Sequence, residues 1–136
     1  MPFGFWRNAS GDAERSNTTC LSNYDDLDAD ILLWLLKDWI YYVAPQVYWE
    51  LGHRSAPFEV LVYWWSRHTY GKDCYIGIGC YLAGSNAAWK DKTQLPRQIQ
   101  KIRSTPNLKG MVFYSSRIFE KNPNGWNDSL RLNYFK

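Results

Sequence analysis

The chain has 136 residues and a formal net charge of +3, from 16 Lys and Arg against 13 Asp and Glu. That is the length of one domain, and a charge so small and so evenly spread leaves no electrostatic footprint for nucleic acid. With 46% hydrophobic and 21% charged residues the composition is that of a folded globular chain. The longest apolar run, residues 31–36, is far short of the ~18 residues a membrane helix needs. The unusual figure is the aromatic content, 18% with 8 Trp and 10 Tyr, which predicts a large core, flat apolar ligand surfaces, or both.

In chain order, residues 2–8 read as a strand of apolar and aromatic side chains, and residues 9–23 as a polar loop. No basic region precedes an apolar stretch at the start, so no signal peptide is expected. A helix is predicted from about Asp25, with Ser22 and Asp25 as its capping box. Asp25, Asp26, Asp28 and Asp30 would sit in its first turns, where the dipole favours negative charge. Leu27, Ile31, Trp34 and Leu35 would share its apolar face. Residues 40–49 form a nearly continuous apolar run, as expected of a strand buried on both faces, and Pro45 predicts an irregularity within it. A helix over residues 56–69 should bury Phe58, Leu61, Val62 and Trp65. Residues 74–81 read as a strand whose Gly77 and Gly79 allow close approach to the backbone. A helix over 94–104 should bury Leu95, Ile99 and Ile102. A strand over 108–115 and a helix over 125–135, with Trp126, Leu130 and Tyr134 on one face, complete the order βαβαβαβα.

Strands alternating with helices imply parallel pairing with right-handed crossovers. No linker divides residues 1–136, so they are read as one domain. Four βα units are half of the eight in a barrel of ~250 residues. Such a half leaves edge strands and an apolar sheet face to be covered, which invites association. Cys20, Cys74 and Cys80 are odd in number and irregular in spacing, so they make neither a disulfide framework nor, with His53 and His68, a zinc set. Cys74 and Cys80 would share one strand face as small apolar side chains.

Five segments carry a family resemblance. They are residues 2–8 (Pro-Phe-Gly-Phe-Trp-Arg-Asn), 24–27 (Tyr-Asp-Asp-Leu), 42–49 (Tyr-Val-Ala-Pro-Gln-Val-Tyr-Trp), 75–77 (Tyr-Ile-Gly) and 124–126 (Asn-Gly-Trp) followed by 128–131 (Asp-Ser-Leu-Arg). In this order the chain resembles the C-terminal half of glycosyl hydrolase-like family ten, a family of bacterial (β/α)8-barrel proteins. The resemblance implies strands five to eight of a TIM barrel. It also implies an exported or lipid-anchored envelope setting for the full-length protein, periplasmic or extracellular, and a glycan substrate from the cell wall or from polysaccharide. The family's acidic Asp-Asp-Tyr motif at the end of strand four has no counterpart here. Asp25-Asp26 precedes Leu27 and opens a helix instead.

Barrel chemistry sits at the C-terminal ends of the strands. That rule selects Arg7, Asn8, Gln46, Tyr48, Trp49, Tyr81, Ser115 and Ser116. Gln46 is an amide inside an apolar run and needs a partner, which is either a sugar hydroxyl or a neighbouring loop. By parity with Gln46, Tyr48 faces the barrel mouth and Trp49 packs outward. Trp6 is left between pocket and core. Trp34, Trp39, Trp64 and Trp65 read as packing residues. Trp89, in the loop after the third strand, reads as an exposed sugar platform or as a ring that closes over the barrel end. Arg7 binds an acidic sugar, orients a catalytic acid, or pairs with Asp12 or Glu14. Glu50 is the one carboxylate directly after a strand, either a general acid or base or a solvated loop charge; the resemblance assigns it no catalytic role, and Asp91 and Glu120 are weaker candidates still. His53 could hydrogen-bond substrate, and His68 reads as structural.

The expectation is therefore a half-barrel glycoside hydrolase segment, weak or inactive alone because the acidic strand end lies elsewhere. It would be completed by the missing N-terminal half or by a second copy in a homodimer. The alternatives are a non-catalytic carbohydrate-binding module using Gln46, Tyr48 and Trp89, and a self-contained interaction domain. No metal, organic cofactor, nucleic acid or membrane span is implied.

Overall fold

The computed structural model describes residues 18–19 and 21–135. The first predicted strand, with Trp6, Arg7 and Asn8, lies outside them, as do Asp12, Glu14 and Cys20. The described elements are α1 (Asn23–Leu27), α2 (Ile31–Leu36), β1 (Tyr42–Val43), α3 (Phe58–Arg67), β2 (Asp73–Ile78), a 3-10 turn (Cys80–Leu82), α4 (Ala87–Lys90), α5 (Gln94–Ser104), β3 (Gly110–Phe113), α6 (Ser116–Glu120), a second 3-10 turn (Pro123–Gly125) and α7 (Trp126–Asn133). The three strands form one parallel sheet in the order β1-β2-β3. The fold is mixed α/β, with three of the four predicted strands in the described residues.

The expected helix from Asp25 is two helices. Asp28 takes a left-handed conformation (φ 51°, ψ 32°) that ends α1, which a short Asp side chain tolerates. Asp30 then caps α2, its Oδ1 accepting from the Leu33 N–H at 3.0 Å. The run of aspartates therefore marks a helix end as well as two helix starts. Leu27 is exposed while Ile31 and Leu35 are buried, so they do not share one face. The capping box at Ser22 is also divided. Its Oγ accepts from the Asp25 N–H at 3.3 Å, while its own N–H donates to Asp26 Oδ2 at 2.6 Å.

The strand predicted over 40–49 pairs regularly only at Tyr42 and Val43. Pro45 has no N–H to give the ladder, so pairing resumes as an isolated bridge, Gln46 to Gly77. There the Gly77 N–H donates to the Pro45 carbonyl at 2.8 Å, and the Val47 N–H donates to the Gly77 carbonyl at 3.0 Å. The strand predicted over 74–81 stops at Ile78, and the chain turns into the 3-10 segment through Gly79. Cys80 is thus not on the strand with Cys74. Both thiols are fully buried and free, and burial pushes each up to about 12.

Helix α5 spans 94–104 as predicted. Helix α3 starts two residues late, after Pro57 in extended geometry, and ends at Arg67. At its C-cap, His68 Nδ1 bonds the Trp64 carbonyl at 2.7 Å and the ring stacks on Trp64. Helix α7 ends at Asn133, leaving Tyr134 as its C-cap.

The register defines two faces of the sheet. Val43, Val47, Cys74, Ile76 and Ile78 are buried with Phe58, Leu61, Val62 and Trp65 of α3 and Leu95, Ile99 and Ile102 of α5. Met111 and Phe113 pack against that core from β3. The opposite face carries Tyr42, Asp73, Tyr75, Gly77, Gly110 and Val112, and there Tyr42, Asp73 and Val112 are exposed. Trp34 and Trp49 pack against the core, and Trp64 and Trp65 are in it. Trp39 does not pack as predicted, being 65% exposed.

Candidate functional site

At the C-terminal end of β2 and of the irregular first strand lies a cleft of about 420 Å³. Gln46, Tyr48, Glu50 and His53 line it from the segment after β1, Tyr81 from the 3-10 turn, and Trp89 from α4. Of the predicted site residues within its described part, the structure gathers Gln46, Tyr48, Trp49, Glu50, His53, Tyr81 and Trp89 at the cleft, but not Ser115 and Ser116. Arg7 and Asn8 are outside the described part.

Each member reaches the cleft for a local reason. Gly79 sits under Tyr48, and a Cβ built there would lie 2.9 Å from Tyr48 Cβ, so only glycine lets the two segments approach. The Tyr48 hydroxyl is pushed up to about 12, chiefly by burial and then by neighbouring Tyr114, Tyr81 and Cys80. It therefore stays a protonated donor at any working pH. Tyr81 is held because its N–H donates to the Tyr114 carbonyl at 3.2 Å. Tyr48 and Trp49 both line the cleft, although Trp49 also packs into the core as predicted.

Trp89 is not the exposed platform expected of a loop residue. It lies in α4, is 1% exposed, and stands edge-to-face with Trp126. The Asn86 side chain caps α4 by accepting from the Trp89 N–H, and Asn124 donates to the Trp89 carbonyl at 2.9 Å. The buried indole N–H needs an acceptor, and it finds Glu50 Oε2 at 3.2 Å. Glu50 also anchors the chain through its carbonyl, which accepts from the Phe58 N–H at 3.2 Å. Among the described residues Glu50 is the one carboxylate lining the cleft.

His53 Nδ1 accepts from the N–H groups of Ser55 and Ala56, at 3.3 and 3.1 Å. The neutral ring then carries its proton on Nε2. Asp91 caps the approach to α5: the Thr93 N–H and hydroxyl donate to it at 2.8 Å, holding its carboxyl below the usual range, with Arg97 nearby. Glu120 is exposed at the end of α6, and Ser115 and Ser116 begin that helix. None of these four lines the cleft. Among the described residues no three His, Cys, Asp or Glu side chains form a metal-holding group, and no helix is long and apolar enough to cross a membrane.

Ser85, Asn86 and Gln98 are among the residues that the strand-end pattern does not point to. Ser85 and Asn86 line the cleft from the turn before α4, an element too short for periodicity to reveal. Gln98 is fully buried behind it, its Nε2 donating to the Trp49 carbonyl at 2.9 Å. Its signal was present, because position 98 falls on the same helical stripe as Leu95 and Ile102.

The chain matches the family described as glycosyl hydrolase-like 10 over residues 1–105. It is 39% identical over 139 residues to "Glycosyl hydrolase YngK" of Bacillus subtilis, across 98% of this chain and 27% of that protein. It is 29% identical over 130 residues to "Glycosyl hydrolase DigH" of Escherichia coli, across 88% of this chain and 29% of that protein. It therefore spans less than a third of the length of these relatives.

Proposed function

The chain belongs to the glycosyl hydrolase-like 10 family, and on that premise we propose that it acts as the C-terminal half of a glycoside hydrolase barrel. It contributes sugar-binding side chains, and the remaining catalytic acids come from elsewhere in a longer protein. Residues 2–8 would supply the first of four parallel strands. The observation that carries this reading is the cleft at the strand ends, which among the described residues gathers Gln46, Tyr48, Tyr81 and one carboxylate, Glu50. Glycoside hydrolysis ordinarily uses two, ~5–9.5 Å apart. Among the described residues α3 and α5 pack on one face of the sheet while Tyr42, Asp73 and Val112 are exposed on the other, which favours a barrel arc over a doubly wound sheet with helices on both faces.

In this reading the Gln46 amide hydrogen-bonds a sugar hydroxyl, and the Tyr48 hydroxyl donates beside it. Arg7 and Asn8 approach from the first strand. Glu50 acts as the acid or base that this half supplies, and Trp89 positions its carboxylate through the indole N–H. The substrate is a bacterial cell-wall or polysaccharide glycan, met in the cell envelope. The uncovered sheet face is closed by the other half of the barrel, or in its absence by a second copy. Light scattering would then give about 32 kDa, twice the 16.0 kDa chain, and a strict monomer would remove the dimer.

The test is to incubate the chain with solubilised cell-wall glycan strands and with plant oligosaccharides, following binding by calorimetry and new reducing ends by colorimetry. Binding without cleavage is expected. Turnover by the chain alone at the ~1–10³ per second common to enzymes would overturn the shared site. Absence of binding to every glycan would overturn the sugar-binding role.

A further inference from the structure

Resting on that reading, we propose that Tyr48, Tyr81 and Tyr114 form one stacking corner for neutral β-linked pyranoses whose ring hydroxyls are all equatorial. Tyr114 follows β3 directly, was not among the residues expected at the site, and completes an aromatic wall across the ends of three adjacent strand segments. Its ring lies nearly parallel to Tyr48, at 5.6 Å between centroids and 21° between planes. Tyr81 stands upright against both, at 5.9 Å and 78° from Tyr48 and 5.8 Å and 88° from Tyr114. Tyr48 and Tyr114 are thus stacked on one another, with Tyr81 edge-on to both, and the half-exposed rings of Tyr114 and Tyr81 are the surfaces left for a ligand.

The corner is built and open. The Tyr114 N–H donates to the Ile78 carbonyl at 2.9 Å, and Tyr81 is tied to Tyr114 through the backbone. Gly79 clears the space under Tyr48. Yet Tyr81 and Tyr114 remain 50% and 51% exposed, whereas rings that serve only as core are covered. A large, rigid ring with a wet hydroxyl suits a ligand that is apolar on one face and polar at its edges. A pyranose is such a ligand. When every ring hydroxyl is equatorial, the ring hydrogens are axial and each face presents a flat C–H patch to the aromatic surface. One axial hydroxyl turns an oxygen into that contact and strips its hydration. Among the described residues lining the cleft with Tyr48 and Tyr81, the charged group is the carboxylate of Glu50, which disfavours acidic sugars there. The Tyr48 hydroxyl, protonated up to about 12, offers a donor rather than a charge.

The test is calorimetric titration of the chain with cellotetraose, chitotetraose and β-1,4-mannotetraose, the last bearing an axial hydroxyl. Cellotetraose, chitotetraose or both should bind, with mannotetraose at least tenfold weaker. Tyr114→Ala should lose at least tenfold while Tyr114→Phe keeps wild-type affinity, with circular dichroism checking the fold. If Tyr114→Ala does not fold, Tyr81→Ala carries the same expectation. Wild-type affinity in the Ala variant, with loss in Gln46→Ala, overturns the stacking corner and leaves the sugar-binding role standing. Equal affinity for mannotetraose overturns the selectivity. No binding of any of the three overturns both readings together.

Discussion

The two faces of the three-stranded sheet are made by alternate residues of the same short strands, yet they have opposite fates. On one face Val43, Cys74, Ile76 and Ile78 are buried beneath α3 and α5. On the other, Tyr42 and Val112 meet solvent, and the tyrosine corner continues that face past the strand ends. The covered face holds apolar residues whose removal from water stabilises the chain by ~1.5–3 kcal/mol each. The open face holds glycines, tyrosines and Gln46, a mixture poor for packing and suited to contact with something outside the chain. Stability and recognition are thus separated by a single residue of register.

The strongest way to break this division is to compare one truncation on each side. Trp65 is fully buried against the covered face, and Trp65→Ala should cost ~3–5 kcal/mol, enough to unfold a domain of ordinary stability. Tyr42, 59% exposed on the open face, should cost under ~1 kcal/mol as Tyr42→Ala. Urea denaturation of both variants measures the difference. Equal costs would mean that the open face is as much a part of the core as the covered one.

The buried thiols sharpen the same comparison through pH. Cys74 and Cys80 are raised from 9.0 to about 12 by burial, so the native state disfavours the thiolate that the unfolded chain forms readily. Their contribution is fully present below pH 9 and is lost as pH rises from there toward 12. The slope is ~1.4 kcal/mol per pH unit for each thiol. Denaturation midpoints between pH 8 and 10.5 should therefore fall, and more gently in a Cys74→Ala, Cys80→Ala double variant. A flat wild-type profile would show that the thiols are not sealed.

Much of the covered face could be read from the sequence, because helical periodicity fixes it. Leu95, Ile99 and Ile102 and the stripe from Phe58 to Trp65 lie where the spacing put them. The cleft's membership was legible by the rule of strand ends, but its geometry was not. Periodicity cannot see a four-residue helix, so Trp89 was expected in an exposed loop rather than sealed in α4. Nor does it register a single left-handed residue such as Asp28, which splits one expected helix in two. Tyr114 shares its parity with Gly110 and Val112, whereas the strand-end rule selects the adjacent Ser115 and Ser116.

Gly79 joins the two regions, since β2 enters the core through Ile78 and leaves it toward the open corner at the next residue. Its backbone (φ −82°) suits any residue, so Gly79→Ala tests space alone. The new methyl would press on Tyr48 Cβ at 2.9 Å, and overpacking of this kind costs ~1–3 kcal/mol. Glycan affinity should fall alongside stability, because Tyr48 must move. If thermal unfolding and affinity both stay at wild-type values, the contact is slack and the corner does not depend on it.

The smallest expected effect lies at the seam between core and cleft. Trp89→Phe keeps an aromatic ring in the buried site but removes the N–H that reaches Glu50. A hydrogen bond to a charged group contributes ~1.5–3 kcal/mol when buried. Glu50 is half-buried, and water can replace the lost donor, so ~1 kcal/mol is expected here. The informative reading is the division of effects. If the proposed hydrolase activity holds and Trp89 positions the carboxylate, the variant in the full-length protein should lower kcat and leave KM nearly unchanged, because the proposed stacking surfaces are untouched. If Trp89 only fills the core, stability alone should fall and kcat should hold. Glu50→Gln separates the cases further: it keeps an acceptor for the indole and removes the acid, so only a catalytic Glu50 makes that change costly to turnover.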